Sequence, residues 1–265
     1  MIEVIIEKIE LESALLGRTV QIDIYRCSDK PLSGESSLAL INDGQDLVTM
    51  GFDIILQEFF YGKKTKPLMV AGIHGGAGRM HEFGVASGPD YLGRGAGAVL
   101  YEQFLVLEAL PCIHKHFNSI RFIETAIAGF SLGGLTAFDT AWNHPEIFSR
   151  VGVFSGSLWW RSKNKDDKDY HQDIHRMAHR QVRQGSFHPG MKFFFQCGEQ
   201  DEKADRNRNG VIDSIDDTID LMRELLKKGY REGPDILYRQ LPDGKHNIEA
   251  WAKSLPFFLQ WGWDK

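Results

Sequence analysis

The segment Gly129-Phe130-Ser131-Leu132-Gly133 reads G-x-S-x-G. A strand-like run, Phe122–Ala128, precedes it, and a helix-like run from Leu132 to Asn143 follows. That context is what makes it a nucleophile elbow: the chain turns sharply from strand to helix and lifts the serine hydroxyl above a sheet. The turn crowds backbone against backbone, so its flanks must be small, as Gly129, Gly133 and Gly134 are. The helix start also aims N–H groups at the place where an oxyanion would form. A surface serine on a glycine-rich turn is the bland alternative, and the strand before and helix after argue against it.

A serine hydroxyl attacks only when a base takes its proton, and the base needs a carboxylate to orient it. In strand-to-helix elbows of this kind the chain order is Ser, then Asp or Glu, then His. Of 10 histidines, His246 alone combines that order with a loop position, between a strand and a helix in Pro242–Asn247. The acid should follow the preceding strand, where the chain reads Cys197-Gly198-Glu199-Gln200-Asp201-Glu202. Asp201 is the candidate, with Glu199 and Asp205 behind it. The N–H of Leu132, next to the nucleophile, should be one oxyanion donor. For the second, Gln45 in Asp43-Gly44-Gln45 competes with His74-Gly75-Gly76; Gln45 is preferred because its strand should lie nearer the middle of the sheet. Arg79 is a candidate contact for an anionic substrate group, or else a loop-fixing ion pair. Trp159 and Trp160 are candidates for stacking on a sugar or aromatic acyl group, or else core.

The elements that must position these groups alternate. Strands are expected at Glu3–Ile9, Thr19–Cys27, Ser37–Ile41, Pro67–Ile73, the elbow strand, Arg150–Phe154, Lys192–Gln196 and Ile236–Leu241. Helices are expected near Phe52–Phe60, Ala98–Phe117, the elbow helix, 171–184, Asp216–Lys228 and from Asn247 onward. Such alternation implies a mainly parallel sheet covered on both faces, with ligands at the carboxyl ends of the strands. No linker divides the chain, so residues 1–265 read as one domain.

Composition sets the limits. The chain has 265 residues, 42% hydrophobic and 25% charged, with a net charge of −5. That balance offers no basic surface for nucleic acid. Three cysteines, Cys27, Cys112 and Cys197, are too few and too scattered for a disulfide framework or thiolate metal site. The N-terminus lacks the pattern of a signal peptide, and no apolar run is long enough to span a membrane. A cytoplasmic protein with a small-molecule ester as its partner is the expectation; oligomeric state has no sequence signature. His171, His175 and His179 recur at helical spacing and read as a solvated face rather than zinc ligands. Gly72–Gly78 lacks the Lys-Ser/Thr that would grip phosphates.

One insertion carries a second signal. Asp205, Asn207, Asn209, Asp213 and Asp216 fall at positions 1, 3, 5, 9 and 12 of a loop with Gly210 at position 6. This is the spacing of a calcium loop, where alternate side chains and the carbonyl of Val211 would supply oxygens. Asp216 stands where a bidentate Glu is usual. The serine chemistry itself needs no cofactor, so calcium here would be structural and would pin the loop that carries Asp201.

Taken together, Asn42–Asp46, the Arg79–Glu82 region, Gly129–Gly134, Ser155–Trp160, Gly198–Asp201 and Gly244–Trp251 resemble the putative esterase family of α/β-hydrolases. That family includes enterochelin esterases, feruloyl esterases and S-formylglutathione hydrolases. The resemblance runs from about residue 20 to the C-terminus. It implies an α/β-hydrolase fold and ester hydrolysis by Ser131, His246 and Asp201, and it favours the Gln45 loop over His74–Gly76. It does not choose among siderophore, feruloyl, sugar-ester and thioester substrates. A non-catalytic carbohydrate-binding or scaffold protein on the same fold is the alternative of another class.

Overall fold

The computed structural model describes residues 3–28, 34–61 and 65–264. A hairpin opens the chain: β1 (Val4–Ser13) and β2 (Arg18–Cys27) pair antiparallel around a turn in which Gly17 takes φ 62°. Then follow β3 (Gly34–Asn42), the short α1 (Asp46–Thr49), α2 (Phe52–Phe60), β4 (Leu68–Ile73) and α3 (Arg79–Glu82). The helix expected over Ala98–Phe117 forms as α4 (Ala98–Phe104) and α5 (Leu110–His116), joined by a π-helical turn at Leu105–Ala109. Pro111, with no N–H to give, sits at the start of α5 and fits that widened turn.

The elbow strand β5 (Ile120–Phe130) leads into α6 (Leu132–Asn143), then β6 (Phe148–Phe154). The helix expected at 171–184 is broken into α7 (Gln172–His175) and α8 (Met177–Gln184) by Arg176, which is extended at φ −74°, ψ 109°. The charged stretch 161–170 carries neither helix nor strand. β7 (Lys192–Gln200), α9 (Asp213–Lys228), β8 (Ile236–Lys245) and α10 (Ile248–Trp263) complete the chain. Asn247 caps α10, its Oδ1 accepting the Ala250 N–H at 3.0 Å.

The eight strands form one sheet in the order β1-β2-β4-β3-β5-β6-β7-β8, parallel from β4 through β8. Two apolar layers cover it, and the strands alternate between them as the pleat requires. Leu38, Leu40, Phe193 and Phe195 face the layer under α6 and α8; Ala39, Ile41 and Phe194 face the layer under α2 and α10. Each fully buried Phe contributes about 2 kcal/mol by this burial. α6 is buried from Leu132 through Trp142, which explains its apolar character all round. Among the described residues no helix is long and apolar enough to cross a membrane.

Candidate active site

Because β3 and β5 through β8 are parallel, their carboxyl ends share one rim, and the loops after them carry the site. Ser131 sits at the tip of β5 as the residue capping α6, at φ 54°, ψ −119°. A non-glycine residue with positive φ stores strain, and here the strain aims the hydroxyl off the sheet. The small flanks are required: a Cβ on Gly129 would lie 2.3 Å from the Gly133 carbonyl oxygen. His246 arrives from the loop after β8, and its Nε2 lies 2.8 Å from Ser131 Oγ. The imidazole is pushed below the ordinary histidine range by loss of solvent and by the Arg79 charge, against the pull of Asp201. It is therefore neutral, and able to accept a proton, across the neutral range.

Asp201 follows β7. Its Oδ2 accepts the Gly198 N–H at 3.0 Å, while its Oδ1 is buried without a partner. Burial pushes its pKa up; Gly198, Ser155 and the His246 charge pull it down. Asp201 and His246 line the same cleft of about 210 Å³ with Ser155, Gly156, Trp159, Glu202 and Ser214, but they make no direct hydrogen bond. Of the other candidate acids, Glu199 accepts from Gln240 and Asp205 from the Asn209 and Gly210 amides of its own loop. The two loops meet through glycine: a Cβ on Gly198 would lie 2.3 Å from the Gly244 carbonyl oxygen and 2.7 Å from Asp201 Oδ1.

The oxyanion side is built tightly. β3 neighbours β5, with β4 one strand farther out. The N–H of Leu132, at the first turn of α6, has no intrahelical acceptor and lies beside Ser131. Gln45 lies at the start of α1, and its Oε1 accepts the Gly75 N–H at 2.9 Å. In the competing segment the His74 amide is also committed, to Gln21. Asp43, at φ 60° and buried, takes Arg79 Nε and Nη2 in a two-pronged bond, both at 2.6 Å. Arg79 is thus held as a loop-fixing ion pair. Asn42 ties the elbow to the core, donating to Gly133 O and accepting from Tyr101.

Several site residues leave no mark in a sequence pattern. Ser157 places its Oγ 3.5 Å from Ser131 Oγ and donates its N–H to Ser131 O. Asp43 and Asn42 flank the candidate oxyanion loop in sequence, yet their partners lie far along the chain. Of the two readings open for Trp160, substrate stacking and core, the burial fits the core: it is fully buried, packed on Gly84 and Gly95. Trp159 lines the cleft, with the guanidiniums of Arg94 and Arg161 within 5.1 and 5.8 Å of its ring. The histidine stripe is not one solvated face. The break at Arg176 separates its members, and His179 is buried, bonded to Asp217 O and pushed down to about 3 by burial.

In the 205–216 loop, Asn207 and Asn209 both donate to Asp216 Oδ2, at 2.8 and 3.0 Å, while Asp205 accepts from the amides at 209 and 210. Among the described residues no group of three or more His, Cys, Asp and Glu side chains is arranged to hold a metal. The loop has a second anchor. Arg206 bonds Asp213 and the buried Asp217, which also takes Arg176.

A strained serine at the strand-to-helix turn after β5, a histidine after β8 on the same rim and a largely parallel eight-stranded sheet define an α/β-hydrolase fold. Residues 13–261 match the family described as putative esterase, and the chain belongs to that family. No curated protein matches it in sequence. Among solved structures it is similar to the enterobactin esterase of Shigella flexneri in the presence of enterobactin, with TM-score 0.72 and 20% identity over 96% of this chain and 57% of that one. It spans little more than half of that enzyme. It is also similar to a ferulic acid esterase (TM-score 0.69, 18% identity, 98% of this chain and 99% of that one). A siderophore hydrolase from Aspergillus nidulans matches at TM-score 0.67 and 18% identity, over 96% of this chain and 93% of that one.

Proposed function

We propose that the protein hydrolyses carboxylic esters by acyl transfer through Ser131. The observation that carries this reading is the 2.8 Å contact between His246 Nε2 and a serine hydroxyl on a positive-φ elbow. His246 accepts the serine proton as Oγ attacks the ester carbonyl. The amides of Leu132 and Gln45 take the oxyanion. The imidazolium, with Asp201 nearby, then donates its proton to the leaving alcohol, and water repeats the sequence on the acyl-enzyme. A binding protein would gain nothing from a strained serine held against an imidazole.

The substrate in this reading is a siderophore-type, feruloyl or sugar ester. A second cleft of about 280 Å³ supports it. This cleft meets the first at Trp159 and Glu202, and Tyr91, Arg161 and Lys165 line it. Arg161 lies 5.8 Å from the Tyr91 and Trp159 rings, a setting for a planar or anionic group. The 205–216 loop joins the proposal as a structural calcium loop. Asp205, Asn207, Asn209 and Asp216 with the carbonyl of Val211 would hold the ion, away from the reacting atoms. The test of the main reading is a fluorophosphonate probe with a nitrophenyl ester assay. Ser131 should be labelled, and Ser131→Ala should lose turnover by about a thousandfold or more. Full activity in that variant overturns the reading.

A further inference from the structure

Trp251 touches three parts of the site at once. Its ring stacks on Phe130, the residue before Ser131, with centroids 5.4 Å apart. The His246 ring stands edge-on to it at 5.3 Å and 82°. Its Nε1–H donates to Ser155 Oγ at 3.0 Å. Ser155 is the residue after β6, buried, at φ 45°, with its N–H bonded to Gln196 O.

An indole N–H only donates, so Ser155 Oγ must accept from it and the hydroxyl keeps its own proton to give. Ser155 shares its cleft with Asp201, whose Oδ1 is buried and lacks a partner. A buried carboxylate oxygen without a donor is costly, and the Ser155 hydroxyl is the donor the cleft offers it. Ser155 also favours the ionised form of that carboxylate. The backbone agrees: β-branched or bulky side chains resist a positive φ, while serine brings a short hydroxyl to the spot.

We propose that Trp251 and Ser155 are positioning residues that bracket the catalytic pair, Trp251 holding the imidazole of His246 and Ser155 fixing the carboxylate of Asp201. This inference rests on the reading of Ser131, His246 and Asp201 as a triad. It accounts for an acid and an imidazole that share a cleft without a direct bond. The bracket holds them in line until the imidazolium forms. Ser131 bonds His246, and the charges of Asp201 and Arg79 act on it; Ser155 shares the cleft of Asp201, and His246, Glu202, Cys197 and Tyr238 interact electrostatically with that carboxylate.

The test compares Ser155→Gly, which suits the backbone at φ 45°, and Trp251→Phe, which keeps a ring but loses the donor. The pH profile of kcat/KM on a nitrophenyl ester is measured for each, with Asp201→Asn alongside. Ser155→Gly should lose about tenfold in kcat/KM, the worth of one hydrogen bond to a charged group, and Trp251→Phe, which loses a bond to a neutral hydroxyl, severalfold. KM should stay, and the acidic limb should move to lower pH, because a misaligned carboxylate raises the imidazole pKa less. The double variant should lose no more than the worse single variant. A limb unmoved in both single variants, with or without lost activity, overturns the bracket. If Asp201→Asn alone lowers activity, only the bracket falls. If Asp201→Asn leaves activity and profile unchanged, the triad reading falls and the bracket with it.

Discussion

The two halves of the site are held in different ways. On the oxyanion side, Asp43 and Arg79 are locked in a two-pronged ion pair, Asn42 grips the Gly133 carbonyl, and Gln45 grips Gly75. Every link there is short and direct. On the acid side, Asp201 takes one direct bond, from the Gly198 N–H, leaves its other oxygen to the Ser155 hydroxyl that shares its cleft, and reaches His246 only across that cleft. Its loop runs into an exposed segment held by Arg206. If Leu132 and Gln45 hold the oxyanion as proposed, that half must be preorganised, since such donors stabilise charge only if they need not move. In the proposed mechanism the acid half has a looser duty: it holds an imidazole that gains and loses a proton twice in each turnover.

This contrast can be broken at either end. Arg79→Met should have the largest effect. It leaves the buried Asp43 carboxylate without its partner, costing roughly 1–3 kcal/mol of stability by thermal melting. It should also lower kcat by about a hundredfold as the Gln45 loop loosens. Asp201→Asn should cost less in stability and on the order of tenfold to a hundredfold in kcat/KM, because the wild-type acid is not bonded directly to the imidazole.

The two variants should move the acidic limb of the pH profile in opposite directions. Arg79 lowers the His246 pKa and Asp201 raises it. In the proposed mechanism activity requires the neutral imidazole. Removing Arg79 therefore moves the limb to higher pH, and removing the Asp201 charge moves it to lower pH. Limbs that move together would show that the two halves act through a shared change in the fold.

The elements and the rim that carries the candidate residues are legible in the sequence, and the reasons differ by element. α2 and α6 have the bounds that their apolar spacing implied, and Ser131, Asp201 and His246 fall on one rim because strand and helix alternate. What escaped was set by contacts distant in sequence. Asp43 finds Arg79 36 positions away. The break at Arg176 follows from its pairing with Asp217 and Asp220, a tertiary bond that overrides helical spacing. Trp159 and Trp160 are adjacent, and no period in an irregular loop says which one turns inward.

Smaller changes sharpen the comparison. Gly198→Ala should lower kcat severalfold while leaving the labelling of Ser131 detectable, since its Cβ would press on the Gly244 backbone and move the His246 loop, not the elbow. Unchanged kinetics in that variant would show that the acid half tolerates displacement. Calcium should have the smallest effect. It should raise the melting temperature by a few degrees, the mark of a ligand bound well above its Kd, and Asp216→Ala should abolish that rise. No rise with calcium would leave Arg206 as the anchor of the loop.

The most direct test is to quench a nitrophenyl ester reaction within its first turnover and weigh the peptides by mass spectrometry. The account predicts one acyl group on the peptide that contains Ser131, lost again as water attacks, and absent in Ser131→Ala. Turnover without that adduct, or an adduct on another residue that keeps pace with product, would contradict it.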